Sequence, residues 1–568
     1  MSSLRIRRFP AAIVAIVVLL VAAPVLMVSR HIPAQPVPAR AAIRDALRNP
    51  AVDHALAGTH WSSDTASGLD GQLERVSFLA GSRQVAQVAV RADGTVDQVQ
   101  ALAHEAVPYG DWIAYEPTVL AALGVLFVLM AGVAPLRRLR NLDVLAATTL
   151  VIPVVLFQHG YLNGSVLAAV PGLGYLMLRC AWRGLGPPEV SPPAEVGRRA
   201  SLQRAPKPPA TPLFEHVTRE WEPGQRIRIL RLLLAALALV FVMVGVSSPN
   251  AVDVAYAAME GATQIIHGLL PYGHMPGDVV HGDTYPILSY ALYAPLAWLS
   301  PVDSVFSSVN GALALTALAA IAAAAGLYRA SAGPRHRSPG ADAAGLRAAI
   351  TWLSFPPLMI IASTGTTDVV LAAMLAFAVV LWRRPGASMA LLAVAGWFKL
   401  APFALVPVWL APLRGRRLAA AIGALLGVSA ATLGLVLFLG GVHGPAAMAR
   451  AVAYQLDRGS LQSPWAALGI TAWQPIGQAC VLALIAGSVA RLLLDPELVA
   501  DRARIAALSA AILLGLQLVA NYWTFLYLAW VVPLIGLSLL AQDTRARAYA
   551  AGRVPAAPSI PDILIIGR

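Results

Sequence analysis

Asp253, Glu260, Asp278 and Asp283, together with His267, His274 and His281, fall in Ser247–Tyr285, a polar stretch set between long apolar runs. Carboxylates and imidazoles grouped in this way suit proton transfer, because a carboxylate within reach of a hydroxyl takes its proton as the oxygen attacks. Asp253 is the leading candidate for such a base, with Asp283 as the alternative. Asp253 also stands just ahead of the helix-like Ala255–His267, where an aspartate caps a helix, and one residue can do both. The three histidines are seven residues apart, but Pro271, Gly273, Pro276 and Gly277 break any helix that would align them. No metal site is therefore expected, and a divalent cation has no support.

No lysine or arginine occurs between Arg231 and Arg329. Cytoplasmic loops of membrane proteins accumulate Lys and Arg, so this loop is expected on the outer face. The rest of the chain agrees with a membrane setting. It has 568 residues, 58% of them hydrophobic and 12% charged, and its mean hydropathy is +0.67. Such a balance indicates an all-α polytopic membrane protein. The net charge of +13 lies in short clusters between apolar runs, which is the positive-inside pattern and needs no nucleic acid to explain it. Cys180 and Cys480 both lie in or beside apolar segments, so a disulfide framework is excluded.

The elements that position the loop follow from the same pattern. Residues 1–30 read as an uncleaved first helix with a cytoplasmic N-terminus, its apolar run Ala11–Val28 preceded by Arg5, Arg7 and Arg8. Residues 31–115 read as a small extracytoplasmic α+β domain, with a helix at Ala41–Ala57, strand-like alternation over Arg75–Val99 and a turn at Asp93–Gly94. It resembles PepSY-like domains. Three spans are expected within 116–182, at Pro117–Pro135, Val144–Gln158 and Ser165–Ala181, followed by a Pro/Arg-rich cytoplasmic linker over 183–229.

The larger module, 230–545, opens with Leu230–Val246 and carries the outer loop 247–285. Parity between basic clusters makes Ala312–Tyr328 the return helix, so Pro286–Leu299 lies along or dips into the interface. Later spans are expected at Ala348–Ile361, Val369–Trp382, Leu418–Leu439, Pro475–Leu492, Ile505–Ala520 and Thr524–Leu540. Ala387–Leu413 has arginines at both ends and should be a hairpin of two short helices broken near Pro402. The sum is about twelve crossings plus this hairpin, with both termini cytoplasmic and residues 546–568 as a tail.

Asp253 after an outward helix, the G-L-L-P-Y of Gly268–Tyr272, and the T-Y-P of Thr284–Pro286 with later tyrosines form one pattern. Further segments are S-T-G-T-T-D at Ser363–Asp368, A-G-W-F-K-L-A-P at Ala395–Pro402 and N-Y-W-T-F-L-Y-L-A-W at Asn521–Trp530. In their order and placement they resemble polyprenol-dependent glycosyltransferases of the GT-C class, and most closely glycosyltransferase family 87, which includes mannosyltransferases. The resemblance covers Leu230 to about Leu540 and leaves out the first four helices and the small domain. It implies transfer of a hexose, mannose in the first instance, from a polyprenyl-phosphate sugar donor to a lipid-linked or envelope glycan acceptor at the cell membrane. Displacement would invert the anomeric centre, with Asp253 as base.

The substrate-binding candidates are His267, Tyr272, His281, Tyr285, Asp368, Lys399, Arg458, Gln462 and Tyr522. Lys399 stands near the hairpin tip inside an apolar run, where an ammonium is costly unless partnered. Twelve helical residues rise about 18 Å, enough to carry it to mid-membrane. It either neutralises a lipid phosphate, snorkels to an interface or pairs with a carboxylate such as Asp368. Arg458 sits beside Asp457, Gln462 and Trp465, a group that suits either a phosphate clamp with an aromatic for a sugar ring or a plain contact of Arg458 with Asp457 or a lipid headgroup. Asn521, Tyr522 and Trp523, at an outer helix turn, rank lower, because aromatics at that depth are usually belt residues. No Walker loop, dinucleotide fingerprint, H-E-x-x-H or nucleophile elbow is present. The competing reading is a transporter or flippase of lipid-linked sugars, although the two modules differ in length and pattern where transporter halves should match.

Overall fold

A computed structural model describes residues 38–67, 73–80, 83–91, 93–101, 112–132, 139–158, 162–186, 221–247, 252–275, 282–299, 310–332, 339–457 and 462–540. The run Ala11–Val28, most of the linker, His281, Arg458 and the C-terminal tail lie outside these residues.

The small domain is a four-stranded antiparallel meander with two helices on one face. Helices α1 (Ala39–Leu47) and α2 (Pro50–Leu56) precede β1 (Ser62–Ser67), β2 (Leu73–Ala80), β3 (Arg83–Arg91) and β4 (Val96–Ala101), paired in that order. The expected single helix is split because Pro50 has no N–H to give and Asn49 Oδ1 accepts from the Ala51 N–H, restarting the helix. Strand β1 lies outside the expected alternation, since S-S-D-T-A-S carries no apolar period. The Asp93–Gly94 turn is where the sequence put it. Gly94 takes φ 83° and Asp93 Oδ1 accepts from the Thr95 N–H at 2.9 Å. Val76, Phe78, Val88 and Val90 bury against Ala42, Ala46 and Val52 to form the core of this domain.

The remainder is helical. Short α3 (Trp112–Tyr115) leads to α4 (Pro117–Ala131), α5 (Leu139–Thr149), α6 (Val151–Gln158) and α7 (Leu162–Leu185). The second module runs through α8 (Pro223–Ser247), α9 (Asp253–Ile266), α10 (Leu288–Ala291), α11 (Ala294–Leu299) and α12 (Asn310–Ala332). Then follow α13 (Pro339–Leu353), α14 (Pro356–Ser363), α15 (Thr367–Val380), α16 (Pro385–Phe398) and α17 (Val406–Leu410). The chain closes with α18 (Gly415–Gly440), α19 (Gly444–Asp457), α20 (Pro464–Ala467), α21 (Gln474–Leu494), α22 (Arg502–Val519) and α23 (Leu528–Ile535).

Among the described residues seven helices are long and apolar enough to cross a membrane, or eight if the bent pair α13–α14 is one span. This is a multi-pass membrane protein. Others of the expected spans correspond to shorter apolar helices, Pro117–Ala131, Thr367–Val380 and Phe525–Leu540. The pair α13–α14 bends by 58° because Pro356 and Pro357 force Phe355 into extended backbone, φ −63° and ψ 112°. The hairpin Ala387–Leu413 is present as α16, a 3₁₀ turn over Ala401–Leu405 and α17. Residues Pro286–Leu299 form only the two short helices α10 and α11.

At one end of the bundle, arginines cap the helix carbonyls. Arg140 donates to the Ala131 and Leu540 carbonyls, Arg347 to Met130 and Arg504 to Gly186. A guanidinium there satisfies carbonyls that lack an intrahelical partner and complements the negative helix terminus. Asp342, at the start of α13, accepts from Arg231 and from the Tyr328 hydroxyl at that same end.

Buried Asp143 holds α5 to α7. It takes Arg179 in a two-point contact at 2.7 and 3.0 Å and the Tyr175 hydroxyl at 2.9 Å. Asp143→Ala is therefore expected to cost up to about 3–5 kcal/mol, since it leaves the Arg179 guanidinium, 20% exposed, without its counter-ion. Arg231 has a side chain 64% exposed, so Arg231→Ala should cost less than about 1 kcal/mol. Thermal unfolding of the two variants in detergent checks this order.

Candidate functional site

The site begins where two helices break. Helix α14 ends at Ser363, and Gly365 takes the left-handed φ of 67°. A Cβ on Gly365 would also meet Ala255 and Leu313 at 3.3 Å, so the turn needs glycine for both reasons. Thr366 then caps α15, its hydroxyl accepting from the Asp368 N–H. Asp368 thus falls in the first turn of α15, where the helix dipole favours a carboxylate.

The second break is at Lys399. Pro402 has no N–H with which to reach the Phe398 carbonyl four residues back, and its ring crowds that carbonyl. Lys399 is extended (φ −145°, ψ 134°), three residues before the expected break, and the freed Phe398 carbonyl accepts from the Ser289 hydroxyl instead. The Lys399 side chain leaves the C-terminal end of α16, the end that favours a cation.

These ends meet. Lys399 Nζ lies 2.5 Å from Asp368 Oδ1, and the pair is buried, with side chains 11% and 1% exposed. Trp530 Nε1 also donates to Oδ1 at 2.5 Å, and the Thr366 hydroxyl donates to Oδ2 at 2.5 Å. The ammonium packs against the faces of Tyr527 and Trp530, 5.2 and 5.4 Å from their centroids, and those two rings stack at 4.3 Å. Desolvated cation–π contacts of this kind are worth about 2 kcal/mol. Asp368 is therefore a committed acceptor with both oxygens engaged, and its chemistry is to hold a cation.

Asp253 belongs to the same region but differs in environment. The Val252 N–H donates to the Thr364 carbonyl at 3.0 Å, fixing the start of α9 to the turn that leads into Asp368. Asp253 is the first residue of α9, exposed, with Oδ1 accepting from the Val254 N–H at 2.8 Å. The Tyr115 hydroxyl reaches the same turn, 3.2 Å from Ser363 Oγ. An exposed carboxylate and a buried ion pair thus flank one short turn.

The rest of the loop is built on tyrosines. Asp283 Oδ2 accepts from the N–H of Gly273, whose φ is 80°, so this candidate pins the loop. Tyr272 donates to the Tyr285 carbonyl at 2.9 Å; buried Tyr290 donates to Gly282 and accepts from the Tyr285 N–H. Burial first, and the negative charge of Asp283 second, push the Tyr272 phenol above its ordinary range and keep it a donor. His267 is exposed at the end of α9, and His274 Nδ1 lies 2.7 Å from the Leu270 carbonyl. Among the described residues no three His, Cys, Asp or Glu side chains gather as metal ligands.

The remaining candidates lie at the α20–α23 turns. The buried Gln462 accepts at its backbone carbonyl from the Trp523 backbone N–H, and the Tyr522 ring meets Tyr527 edge-on at 6.2 Å. Trp465, read as a sugar-stacking ring, is instead a packing residue. It is buried over Gly477, with Nε1 donating to the Leu518 carbonyl. The sequence reading singled out the segments Ser363–Asp368 and Asn521–Trp530 but did not name Thr366, Tyr527 or Trp530 within them as site residues.

Asp368→Ala is expected to destabilise by about 3–5 kcal/mol, because it leaves the Lys399 ammonium buried without its counter-ion. The double change Asp368→Leu with Lys399→Met should recover most of that loss, which thermal unfolding of single and double variants would reveal.

Compared with protein-family models, curated proteins and solved structures, the chain matches none.

Proposed function

We propose that this protein is a GT-C-type glycosyltransferase of the cell membrane. It moves a hexose, with mannose as the first sugar to try, from a polyprenyl-phosphate carrier to a lipid-linked or glycan acceptor on the extracytoplasmic face. The observation that carries the reading is the pairing of environments around the Thr364–Thr366 turn. Exposed Asp253 stands on one side and the buried Lys399–Asp368 pair on the other.

In this scheme Asp253 takes the proton of the acceptor hydroxyl as its oxygen bonds to the anomeric carbon. The bond from that carbon to the phosphate oxygen breaks, and the phosphate leaves with the electron pair. Lys399 supplies positive charge for the phosphate, and the partly exposed Tyr522 ring beside Tyr527 offers a face for the sugar. Asp283 shapes the acceptor loop through Gly273. The arginine-capped end is read as the cytoplasmic one, and twelve crossings with both termini inside belong to the same reading. The small domain, read as PepSY-like, then stands outside.

A second reading, a transporter or flippase for lipid-linked sugars, draws on one observation. An ion pair where helices break inside a membrane protein is also the architecture of coupled transport.

Three measurements decide. In membranes supplied with polyprenyl-phosphate mannose, Asp253→Asn should lower sugar transfer by about 10²–10⁴-fold while leaving thermal unfolding unchanged. Unaltered protein that moves a lipid-linked sugar across vesicles but never releases the carrier phosphate would make it a transporter. A cysteine placed at His267 should react with an impermeant maleimide from outside the cell, and reaction only after lysis would remove the donor argument.

A further inference from the structure

Where α16 and α18 begin, the bundle carries arginines that the protein itself does not use. Arg383 and Arg384 precede α16, and Arg416 and Arg417 lie in the first turn of α18. All four are exposed, and among the described residues none makes a side-chain hydrogen bond or ion pair. The two pairs belong to one patch, because a Cβ on Gly386 would meet the Ala420 carbonyl at 3.4 Å. Other arginines at this end are committed. Arg140, Arg347 and Arg504 hold helix carbonyls, and Arg231 and Arg491 hold Asp342 and Asp495. Arg414, between the two pairs in sequence, donates to the Ala411 and Leu413 carbonyls. The Trp382 indole donates to the Val499 carbonyl and so brings Glu497 to this end, yet Glu497 pairs with none of the four.

Four like charges gathered without a counter-ion repel one another, and the backbone adds to the excess. Both α16 and α18 present their positive N-terminal ends here, and neither has a side-chain cap or an acidic residue in its first turn. Beyond the patch, Ile422, Leu426, Leu433 and Leu437 form one exposed apolar stripe along α18. In a multi-pass protein such a stripe meets lipid tails. The occupant that fits is therefore anionic at the patch and apolar along α18, which a soluble anion is not. We infer that Arg383, Arg384, Arg416 and Arg417 bind the headgroup of an anionic phospholipid whose acyl chains lie along α18. Guanidinium forks take two oxygens of a phosphodiester at once, and unpaired N–H groups at a helix start favour the same anion. The patch lies at the opposite end of α16 from Lys399 and does not depend on sugar transfer.

The test is native mass spectrometry of the delipidated full-length protein in detergent, titrated with phosphatidylglycerol or with zwitterionic phosphatidylcholine. Unaltered protein should hold phosphatidylglycerol at least about tenfold more tightly, and Arg416→Gln with Arg417→Gln should remove that preference. The control, Arg228→Gln with Arg329→Gln, takes the same charge from two exposed arginines on α8 and α12 and should leave the preference intact. Ala419→Glu sets a carboxylate where the apolar stripe reaches the patch, three residues from Arg416. It should weaken phosphatidylglycerol by a similar factor while the lipid-free protein unfolds at the same temperature or higher, since an acid near a helix start is favourable. Equal losses in the two double variants would reduce the effect to net charge and overturn the inference. So would undiminished binding in the Arg416 and Arg417 variant or in Ala419→Glu, or equal affinity for phosphatidylcholine. Displacement of the lipid by millimolar inorganic phosphate would also overturn it, marking a site for a free anion.

Discussion

A carboxylate and an ammonium buried together in an apolar bundle need each other. Removing either leaves a charge whose desolvation nothing offsets, so the Asp368–Lys399 contact constrains everything placed around it. The chain meets that constraint with backbone as well as side chains. Asp368 lies at the positive end of α15 and Lys399 at the negative end of α16, so each charge sits on the helix terminus that favours it. Both termini exist only because the helices stop, through Gly365 at one break and Pro402 at the other. An unbroken helix at either place would carry its charge to a point where no terminus could complement it.

The same two breaks separate the roles of the acidic residues. Asp368 has three side-chain donors on two oxygens and is insulated from water, so it serves as a fixed counter-charge. Asp253 is exposed at the start of α9, held close by the bond from Val252 to Thr364, and retains solvent access. Identical side chains flanking one short turn thus meet different environments, one buried with three donors and one exposed. Asp283 receives a third, tying a left-handed glycine so that Tyr272 and Tyr290 can close the loop.

Much of this was legible in residue order. Apolar length and arginine clusters located the helices, because both reflect the solvent each segment meets. Asp93–Gly94 marked its turn, and arginines at both ends marked the α16–α17 hairpin. The pairing of Lys399 with Asp368 stood among the readings because an intramembrane ammonium demands a partner. What escaped the sequence depends on three-dimensional closure. Trp530 lies 162 residues from Asp368, and no local period connects them. Trp465 looked like a sugar platform because aromatics beside polar residues at a helix end look alike whether they pack or bind. The split at Asn49–Pro50 was local and could have been read, since an asparagine followed by proline is a helix start.

The way Lys399 is held bears on what the pair is for. A lysine kept solely for stability would do best with further oxygen acceptors at fixed angles, and a pair of apolar residues would often serve as well. Here the ammonium has one carboxylate, and among the described residues its other contacts are the faces of Tyr527 and Trp530. Attraction to a ring face is broad in angle, so the cation can turn across those rings while losing little, whereas a hydrogen-bonded cage would resist each degree of rotation. Asp368 is the opposite, anchored by Trp530 and Thr366 whichever way the lysine points. The arrangement therefore fixes the anion and leaves the cation movable. Packing alone gives no reason for that asymmetry, since an apolar pair would fill the same space without a buried charge.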